Sequence, residues 1–188
     1  MAETVEPAHL GRVPLCVDLD GTLIRNDTLW VSMACLIRTS PVNLFLIPWW
    51  YLRSGRAMMK CQIAERCLPS AQNLPYHKGF MKYLKVQKDR GRRLILVTGA
   101  HRLIAEAVSS YTGMFDECIG TVAGLNLSGK AKAEHLVQRF GEQGFDYAGN
   151  HHVDLSVWKA SRSIIIVNAP PSVRKKAEAI GRTEAIFQ

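Results

Sequence analysis

Short apolar runs alternate with stretches of helical periodicity along most of the chain. The runs predict five buried strands: Val13–Leu19, Arg93–Val97, Glu117–Val122, Phe145–Ala148 and Ser163–Asn168. Between them, apolar residues recur every three or four positions and predict three helices: Tyr76–Asp89, His101–Thr112 and Lys130–Phe140. Strands that alternate with helices imply parallel βαβ units, so the pattern predicts an α/β fold with a doubly wound parallel sheet.

The interval between the first two predicted strands is too long for a simple crossover. It holds about 70 residues, whereas a whole βαβ unit takes roughly 30. Helical patterns around 28–38, 42–53 and 56–67 fill the surplus. We therefore predict a core made of residues 13–25 and 74–188, and a helical cap of residues 26–73 inserted above the strand ends.

Two carboxylates close the first predicted strand. Asp18 and Asp20 are separated by one residue, so they point to the same side of the strand. Gly21 then permits a tight turn that exposes backbone N–H groups. Such a strand end can hold a divalent cation beside a phosphoryl group, although an ordinary acidic turn has a similar composition.

The full motif at this strand end, Asp18-Leu19-Asp20-Gly21-Thr22-Leu23, resembles the first signature of the haloacid dehalogenase superfamily, whose members are mostly Mg²⁺-dependent phosphatases. Three later stretches resemble the other signatures in the correct order: LILVTG (94–99), SGKAKAEHL (128–136) and FDYAGNHHVD (145–154). In the second of these, Lys130 and Lys132 compete. Lys132 is preferred because, as in the phosphoserine-phosphatase-like branch, it stands four residues before an apolar helix position, Leu136. The resemblance covers nearly the whole chain, from about Pro14 to Asn168.

The resemblance implies catalytic roles for four residues. Asp18 would be the nucleophile that forms an aspartyl-phosphate, and Asp20 the general acid and base. Thr98 would hold a phosphate oxygen, and Lys132 would neutralise charge between Asp18 and the phosphoryl group. Substrate binding would fall to four further residues: Gly21, Thr22, Asp27 and Gly99. Of these, Asp27 is equally well explained as a helix cap.

The resemblance also implies a Mg²⁺ site formed by Asp18, Asp20, Asn150 and Asp154. Asn150 departs from the family pattern, because an Asp usually follows Gly149. An amide oxygen can still bind Mg²⁺, but the site loses one negative charge. We expect weaker metal binding, or Asp154 as the direct ligand.

The net charge of +8 favours anionic partners such as phosphate esters, acidic lipid surfaces or nucleic acid. Part of the excess lies on one predicted helix, at Lys78, Lys82 and Lys85. The aromatic residues between them, Phe80 and Tyr83, fall on the apolar face of the helix rather than beside the lysines, as a base-stacking surface would require, so we predict no nucleic-acid partner. Five cysteines without a Cys-x-x-Cys pair predict reduced thiols and a cytoplasmic protein.

The aromatic run Trp49-Trp50-Tyr51 is the least ordinary feature of the predicted cap. It lies in the longest apolar stretch, Val42–Leu52, which is broken by Pro48 and too short to cross a bilayer. The three rings suit either packing inside the cap or docking on a membrane surface. We expect mainly buried rings, with at least one partly exposed.

A closer resemblance concerns the cap sequence LFLIPWWYLRSGRA together with the YAGN turn. Both resemble a soluble domain fused ahead of membrane prenyltransferases of the 4-hydroxybenzoate polyprenyltransferase type. Two functions remain in competition. The first is a Mg²⁺-dependent phosphomonoester hydrolase for a small or lipid-linked phosphate ester. The second is a weakly catalytic or non-catalytic domain that docks on a membrane prenyltransferase. Hydrolysis of a carbon–halogen bond is disfavoured, because a halide leaving group needs no general acid such as Asp20.

Overall fold

The computed structural model describes residues 13–39, 42–122 and 127–188. Its centre is a sheet of six parallel strands in the order β3-β2-β1-β4-β5-β6. The strands are β1 (Leu15–Val17), β2 (Leu94–His101), β3 (Glu117–Thr121), β4 (Asp146–Gly149), β5 (Ile164–Val167) and β6 (Thr183–Phe187). This topology confirms the predicted α/β fold with a doubly wound parallel sheet.

Seven α-helices accompany the sheet in the described part of the chain. They are α1 (Thr28–Thr39), α2 (Asn43–Arg66), α3 (Lys78–Asp89), α4 (Arg102–Thr112), α5 (Lys130–Phe140), α6 (Leu155–Ala160) and α7 (Pro171–Glu178). Short 3₁₀ turns lie at Ala71–Asn73 and His152–Asp154. None of the described helices is both long enough and apolar enough to cross a membrane.

Alternate residues of the central strands pack in two different apolar clusters, because successive side chains of a strand point to opposite faces of the sheet. Leu15 and Val17 of β1 pack in one cluster, with Phe80 of α3 and Ile104 of α4. Cys16, between them, packs in the other cluster, whose helical members include Leu136 of α5 and Trp158 of α6. Helices therefore cover both faces, as buried parallel sheets require.

The insert between β1 and α3 consists of α1 and α2, which share an apolar cluster of their own around Leu36, Ile47 and Ile63. Gly55 interrupts α2 with φ 74° and ψ 176°, a backbone conformation that glycine adopts readily and other residues rarely adopt. The two halves of α2 correspond to the segments predicted at 42–53 and 56–67. The boundaries of the cap, residues 26–73, stay a prediction.

Two structural findings contradict the sequence-based expectations for the insert. Cys35 and Cys67 form a disulfide, so the expectation of reduced thiols is wrong for this pair, whereas Cys16, Cys61 and Cys118 take no part in a disulfide within the described residues. The cytoplasmic location stays a prediction. The expectation of mainly buried aromatic rings is also wrong, because Trp49 is 56% exposed and Tyr51 is 53% exposed.

Trp50, the middle residue of the run, is half-buried against the cluster that α1 and α2 share. The guanidinium of Arg66 lies 4.6 Å from the centre of its ring. Helix geometry explains why Trp50 is half-buried whereas Trp49 and Tyr51 are exposed, because consecutive residues of a helix point in directions about 100° apart. Only one of three consecutive rings can face the inside of the insert fully.

Candidate active site

A cleft of about 570 Å³ opens where β1, β2 and β4 end. Eight of the residues predicted for the site line it: Asp18, Asp20, Gly21, Asp27, Gly99, Lys132, Asn150 and Asp154. The other two predicted residues, Thr22 and Thr98, are fully buried beside it. The position agrees with the rule that open α/β sheets bind ligands outside the carboxyl ends of their strands.

A buried ion pair lies at the floor of this cleft. The Lys132 Nζ donates to Asp18 Oδ1 at 2.6 Å, and both residues are less than a tenth exposed. Lys130 points elsewhere: its exposed side chain is 3.6 Å from Glu134. The structure thus places Lys132, rather than Lys130, beside the predicted nucleophile.

Burial governs the protonation of this pair. Burial raises the pKa of the Asp18 carboxyl, the ammonium of Lys132 opposes that shift, and the neighbouring carboxylates of Asp154 and Asp20 add to it. For Lys132, burial lowers the pKa, but the attraction of Asp18 and Asp154 outweighs it and the net shift is upward. Lys132 therefore stays positively charged at the point where a phosphoryl group would add negative charge.

Tyr147 extends the ion pair into a buried chain of polar groups, and sequence reasoning missed it. Lys132 Nζ donates to the Tyr147 hydroxyl at 2.9 Å, and that hydroxyl donates to Asp154 Oδ1 at 2.9 Å. Burial, followed by the nearby Asp154 and Asp18 charges, raises the pKa of Tyr147 well above its usual value, which keeps the hydroxyl protonated. The sequence did offer a clue to this role: Tyr147 lies in a predicted buried strand, and a buried hydroxyl needs a hydrogen-bond partner.

The Asp154 carboxylate is fixed by three donors. Besides Tyr147, the backbone N–H groups of Asn150 and His151 donate to its Oδ2 at 3.0 and 2.9 Å. These bonds hold the turn between β4 and α6 in place. Asp154 is 1% exposed, so it supports the cleft from below as well as lining it.

We expect Tyr147→Phe to lower the free energy of unfolding by about 1.5–3 kcal/mol, because the ring still packs while Lys132 and Asp154 each lose a hydrogen bond in a buried site. Urea unfolding with an unchanged m value measures this loss. Tyr83→Phe is the matched control: its hydroxyl donates to Glu184 at the surface, and its loss should cost about 1 kcal/mol or less. Equal losses in the two variants would contradict a special role for the buried chain.

Gly21 is required by both its backbone and its surroundings. Its φ is +76°, and a Cβ atom there would lie 2.0 Å from Asn150 Nδ2. The next residue, Thr22, donates from its hydroxyl to Asn150 Oδ1 at 3.4 Å. The turn after β1 therefore touches the turn after β4 and orients the amide of Asn150 toward the cleft wall.

Two acidic residues connect the site to the start of α1. Asp20 Oδ1 accepts from the backbone N–H of Thr28 at 2.7 Å, and Asp27 Oδ1 accepts from that of Leu29 at 2.8 Å. Asp27 therefore caps α1, which is one of the two roles that the sequence predicted for it. Because Asp27 also lines the cleft, its contact with a substrate stays a prediction.

Thr98 and Gly99 occupy the end of the β2 signature. The Thr98 oxygen accepts from the N–H of Ala100 at 2.9 Å, which leaves the hydroxyl proton available for a further bond. Gly99 lines the cleft, and a Cβ atom there would lie 3.2 Å from the carbonyl oxygen of Leu127. The role of both residues in holding phosphate stays a prediction.

The oxygen atoms around the cleft match the preference of Mg²⁺ for hard ligands. The predicted set comprises the carboxylates of Asp18 and Asp154, the backbone carbonyl of Asp20 and the amide oxygen of Asn150. No cluster of three or more His, Cys, Asp or Glu side chains suited to a metal occurs within residues 13–39, 42–122 and 127–188. The two carboxylates and the two neutral oxygens of this set fit the ion, and the direct part of Asn150 in it stays a prediction.

The fold is similar to that of several solved structures. One is a Bordetella pertussis protein of unknown function, with a TM-score of 0.70 and 15% identity, covering 93% of this chain and 97% of that one. Another is phosphoserine phosphatase in its apo form, with a TM-score of 0.63 and 16% identity, covering 94% of each chain. At sequence identities this low, the structural similarity establishes the fold and nothing about the function.

The sequence matches known proteins more directly. It is 33% identical over 171 residues, or 90% of the chain, to the uncharacterized protein y4nM of Sinorhizobium fredii, and it spans about a third of that relative's length. The family model described as haloacid dehalogenase-like hydrolase matches residues 15–159, which include the ends of β1, β2 and β4. The chain belongs to the haloacid dehalogenase-like hydrolase family.

Proposed function

We propose that the protein is a Mg²⁺-dependent phosphomonoester hydrolase that acts through an aspartyl-phosphate. The observation that supports this best is the buried contact of Lys132 with Asp18 at the floor of a cleft, with Asp20 two residues away. Family membership and the likeness to phosphoserine phosphatase support the same reaction type. The assignment of the protein to the phosphoserine-phosphatase-like branch is part of the proposal.

In the first step, a carboxylate oxygen of Asp18 attacks phosphorus, and the bond from phosphorus to the ester oxygen breaks. The carboxylic acid of Asp20 gives its proton to the leaving alkoxide. In the second step, Asp20 takes a proton from water, which attacks phosphorus, releases inorganic phosphate and restores Asp18. Lys132 offsets negative charge in both steps without changing its own protonation.

Phosphate oxygens would be held by the Thr98 hydroxyl and by the backbone N–H groups of Gly99 and Gly21. The N–H of Thr22 already donates to the Leu19 carbonyl at 3.3 Å, so Thr22 would act only by shaping this turn. Mg²⁺, held by Asp18, the Asp20 carbonyl, Asn150 and Asp154, would supply a further positive charge beside the phosphoryl group. These donors all belong to strand ends or to the turns that follow them. The residues are therefore positioned before a substrate arrives, which lowers the cost of reorganisation.

The cleft also suggests the kind of substrate. Arg25 and the two imidazoles of His151 and His152 share its wall with Asp27. We propose a small or lipid-linked phosphate ester, with residues 26–73 acting as a cap over the core formed by 13–25 and 74–188. The separate apolar cluster of α1 and α2 supports this division.

A second function is favoured by one observation, the amide of Asn150 where the family usually has a carboxylate. Weak metal binding would leave a domain with little activity that docks on a membrane prenyltransferase, on the cytoplasmic side of the membrane. The contact between Asp18 and Lys132 argues for the first function, because a non-catalytic domain has no need of a buried ion pair, which adds little stability by itself.

The proposal is tested by measuring phosphate release from p-nitrophenyl phosphate, phosphoserine and a prenyl monophosphate, with Mg²⁺ and with EDTA. We expect turnover of at least one ester with Mg²⁺ and none with EDTA. Absence of turnover for all three esters at saturating Mg²⁺ would favour the docking function instead.

Asn150→Asp tests the metal site within the same assay. One added negative charge beside the ion is expected to lower the half-saturating Mg²⁺ concentration about tenfold. Asn26→Asp is the matched control, because it adds the same charge to the cleft wall outside the proposed ligand set. An unchanged or higher half-saturating concentration in Asn150→Asp would remove Asn150 from the ligand set and leave Asp154.

A further inference from the structure

The outward face of the first half of α2 bears a row of large apolar side chains. Phe45, Trp49 and Leu52 are 78%, 56% and 81% exposed, and their spacing of four and three residues places them on one helix face. We call these three residues the apolar stripe. The opposite face is anchored, because Ile47 is buried in the cluster that α1 and α2 share.

The apolar stripe is part of a larger exposed surface. Three further apolar residues of the same segment are exposed or partly so: Val42, Leu46 and Tyr51. Single exposed apolar residues are ordinary, whereas contiguous ones mark an interaction site. The exposed aromatic types are also those that favour the boundary between water and hydrocarbon, where an apolar ring and a polar edge are both accommodated.

The charged residues that flank the apolar stripe along the sequence are of one sign. The sequence has no acidic residue between Asp27 and Glu65, but four basic ones: Arg38, Arg53, Arg56 and Lys60. No charged residue of either sign interrupts residues 39–52. The Arg53 guanidinium lies 5.8 Å from the centre of the Trp49 ring, so a cation adjoins the apolar stripe directly.

We propose that the apolar stripe binds the surface of an anionic lipid bilayer. The first half of α2 lies in the headgroup region, with Phe45, Trp49 and Leu52 toward the acyl chains and Arg53 beside the lipid phosphates. Amphipathic helices of this kind insert about 5–10 Å below the headgroups. The partner is a lipid surface rather than an acidic protein because a charge-free apolar segment between basic residues matches the layered polarity of a membrane. The proposal does not depend on the reaction in the cleft.

Co-sedimentation of the chain with vesicles tests this proposal. We expect binding to vesicles of phosphatidylcholine with 30% phosphatidylserine, roughly the anionic content that attracts basic segments, and weaker binding to pure phosphatidylcholine. The triple variant Phe45→Ala, Trp49→Ala, Leu52→Ala should need at least about tenfold more lipid for half-binding. Arg53→Gln should need about fivefold more of the anionic vesicles. Val86→Ala, at an exposed position of α3, is the matched control and should bind as the parent chain does.

A second measurement covers the case in which the triple variant fails to fold. Brominated lipids should quench part of the tryptophan fluorescence of the parent chain, and Trp49→Phe should remove that part while keeping an apolar ring. Three results would overturn the proposal: no binding of the parent chain to anionic vesicles, equal binding of the triple variant, or a concentration-dependent dimer that the triple variant abolishes. The last result would identify a second copy of the chain as the partner.

Discussion

Replacing Asp18 by Asn is expected to lower phosphate-ester turnover by roughly 10⁴-fold or more, in the range seen when a nucleophile is removed. The amide cannot form an acyl-phosphate, while its oxygen can still accept from Lys132, which donates to Asp18 Oδ1 at 2.6 Å. Steady-state turnover measures the loss, and acid quenching during turnover should trap labelled phosphate on the parent chain but not on the variant.

Stability must be followed in the same variant, because Asn leaves the buried Lys132 without its carboxylate partner. Breaking such a pair can cost about 3–5 kcal/mol. If Asp18→Asn unfolds, Asp18→Glu retains the charge and displaces the carboxylate, and its turnover should also be lost. Asp116→Asn is a surface control, because Asp116 pairs with Lys88 away from the cleft. Normal turnover in a folded Asp18→Asn variant would show that Asp18 is not the nucleophile.

The most completely buried strands are the ones that the sequence indicates most clearly. β1, β5 and the first four residues of β2 are uniformly apolar because helices cover both faces, so their runs are visible without any alignment. β6 was missed because it is a half-exposed edge strand with the charged Glu184 as its second residue. α7 was missed for a similar reason: only Val173 and Ala177 of its eight residues are buried.

The predicted site depended on short motifs at strand ends, and the structure brings those motifs together in one cleft. What sequence reasoning missed depends on contacts between distant residues. Tyr147 is 15 residues from Lys132, and their contact arises only when β4 and α5 pack. The disulfide joins cysteines 32 residues apart, and five cysteines offer no rule for choosing that pair.

The apolar stripe shows a different limit. Helical spacing alone puts residues 45, 49 and 52 on one face of a helix, but it does not indicate whether that face points toward the core or toward solvent. Trp50 and Ile47, which pack inward, settle the question, because they fix the rotation of α2 about its axis. A single sequence without this information favours burial for any tryptophan, since most large apolar side chains are buried.

Asp20→Asn is expected to lower turnover by roughly 10²–10⁴-fold, the usual contribution of a positioned acid and base. The variant should keep its stability, because the amide oxygen can still accept from the N–H of Thr28, which lies 2.7 Å from Asp20 Oδ1. Asp20→Ala removes that acceptor as well. It should lose similar turnover and in addition about 1–3 kcal/mol of unfolding free energy, because the N–H of the buried Thr28 is left unpaired.

The choice of ester separates proton transfer from helix capping. If Asp20 protonates the leaving group, the loss in Asp20→Asn must be larger for an alkyl phosphate, whose alkoxide leaves poorly, than for p-nitrophenyl phosphate, whose phenolate leaves without help. If Asp20 only caps α1, the two esters must lose turnover equally, and Asp20→Ala must be worse than Asp20→Asn for both. Equal losses with a clear difference between Asn and Ala would therefore assign Asp20 to the cap rather than to the reaction.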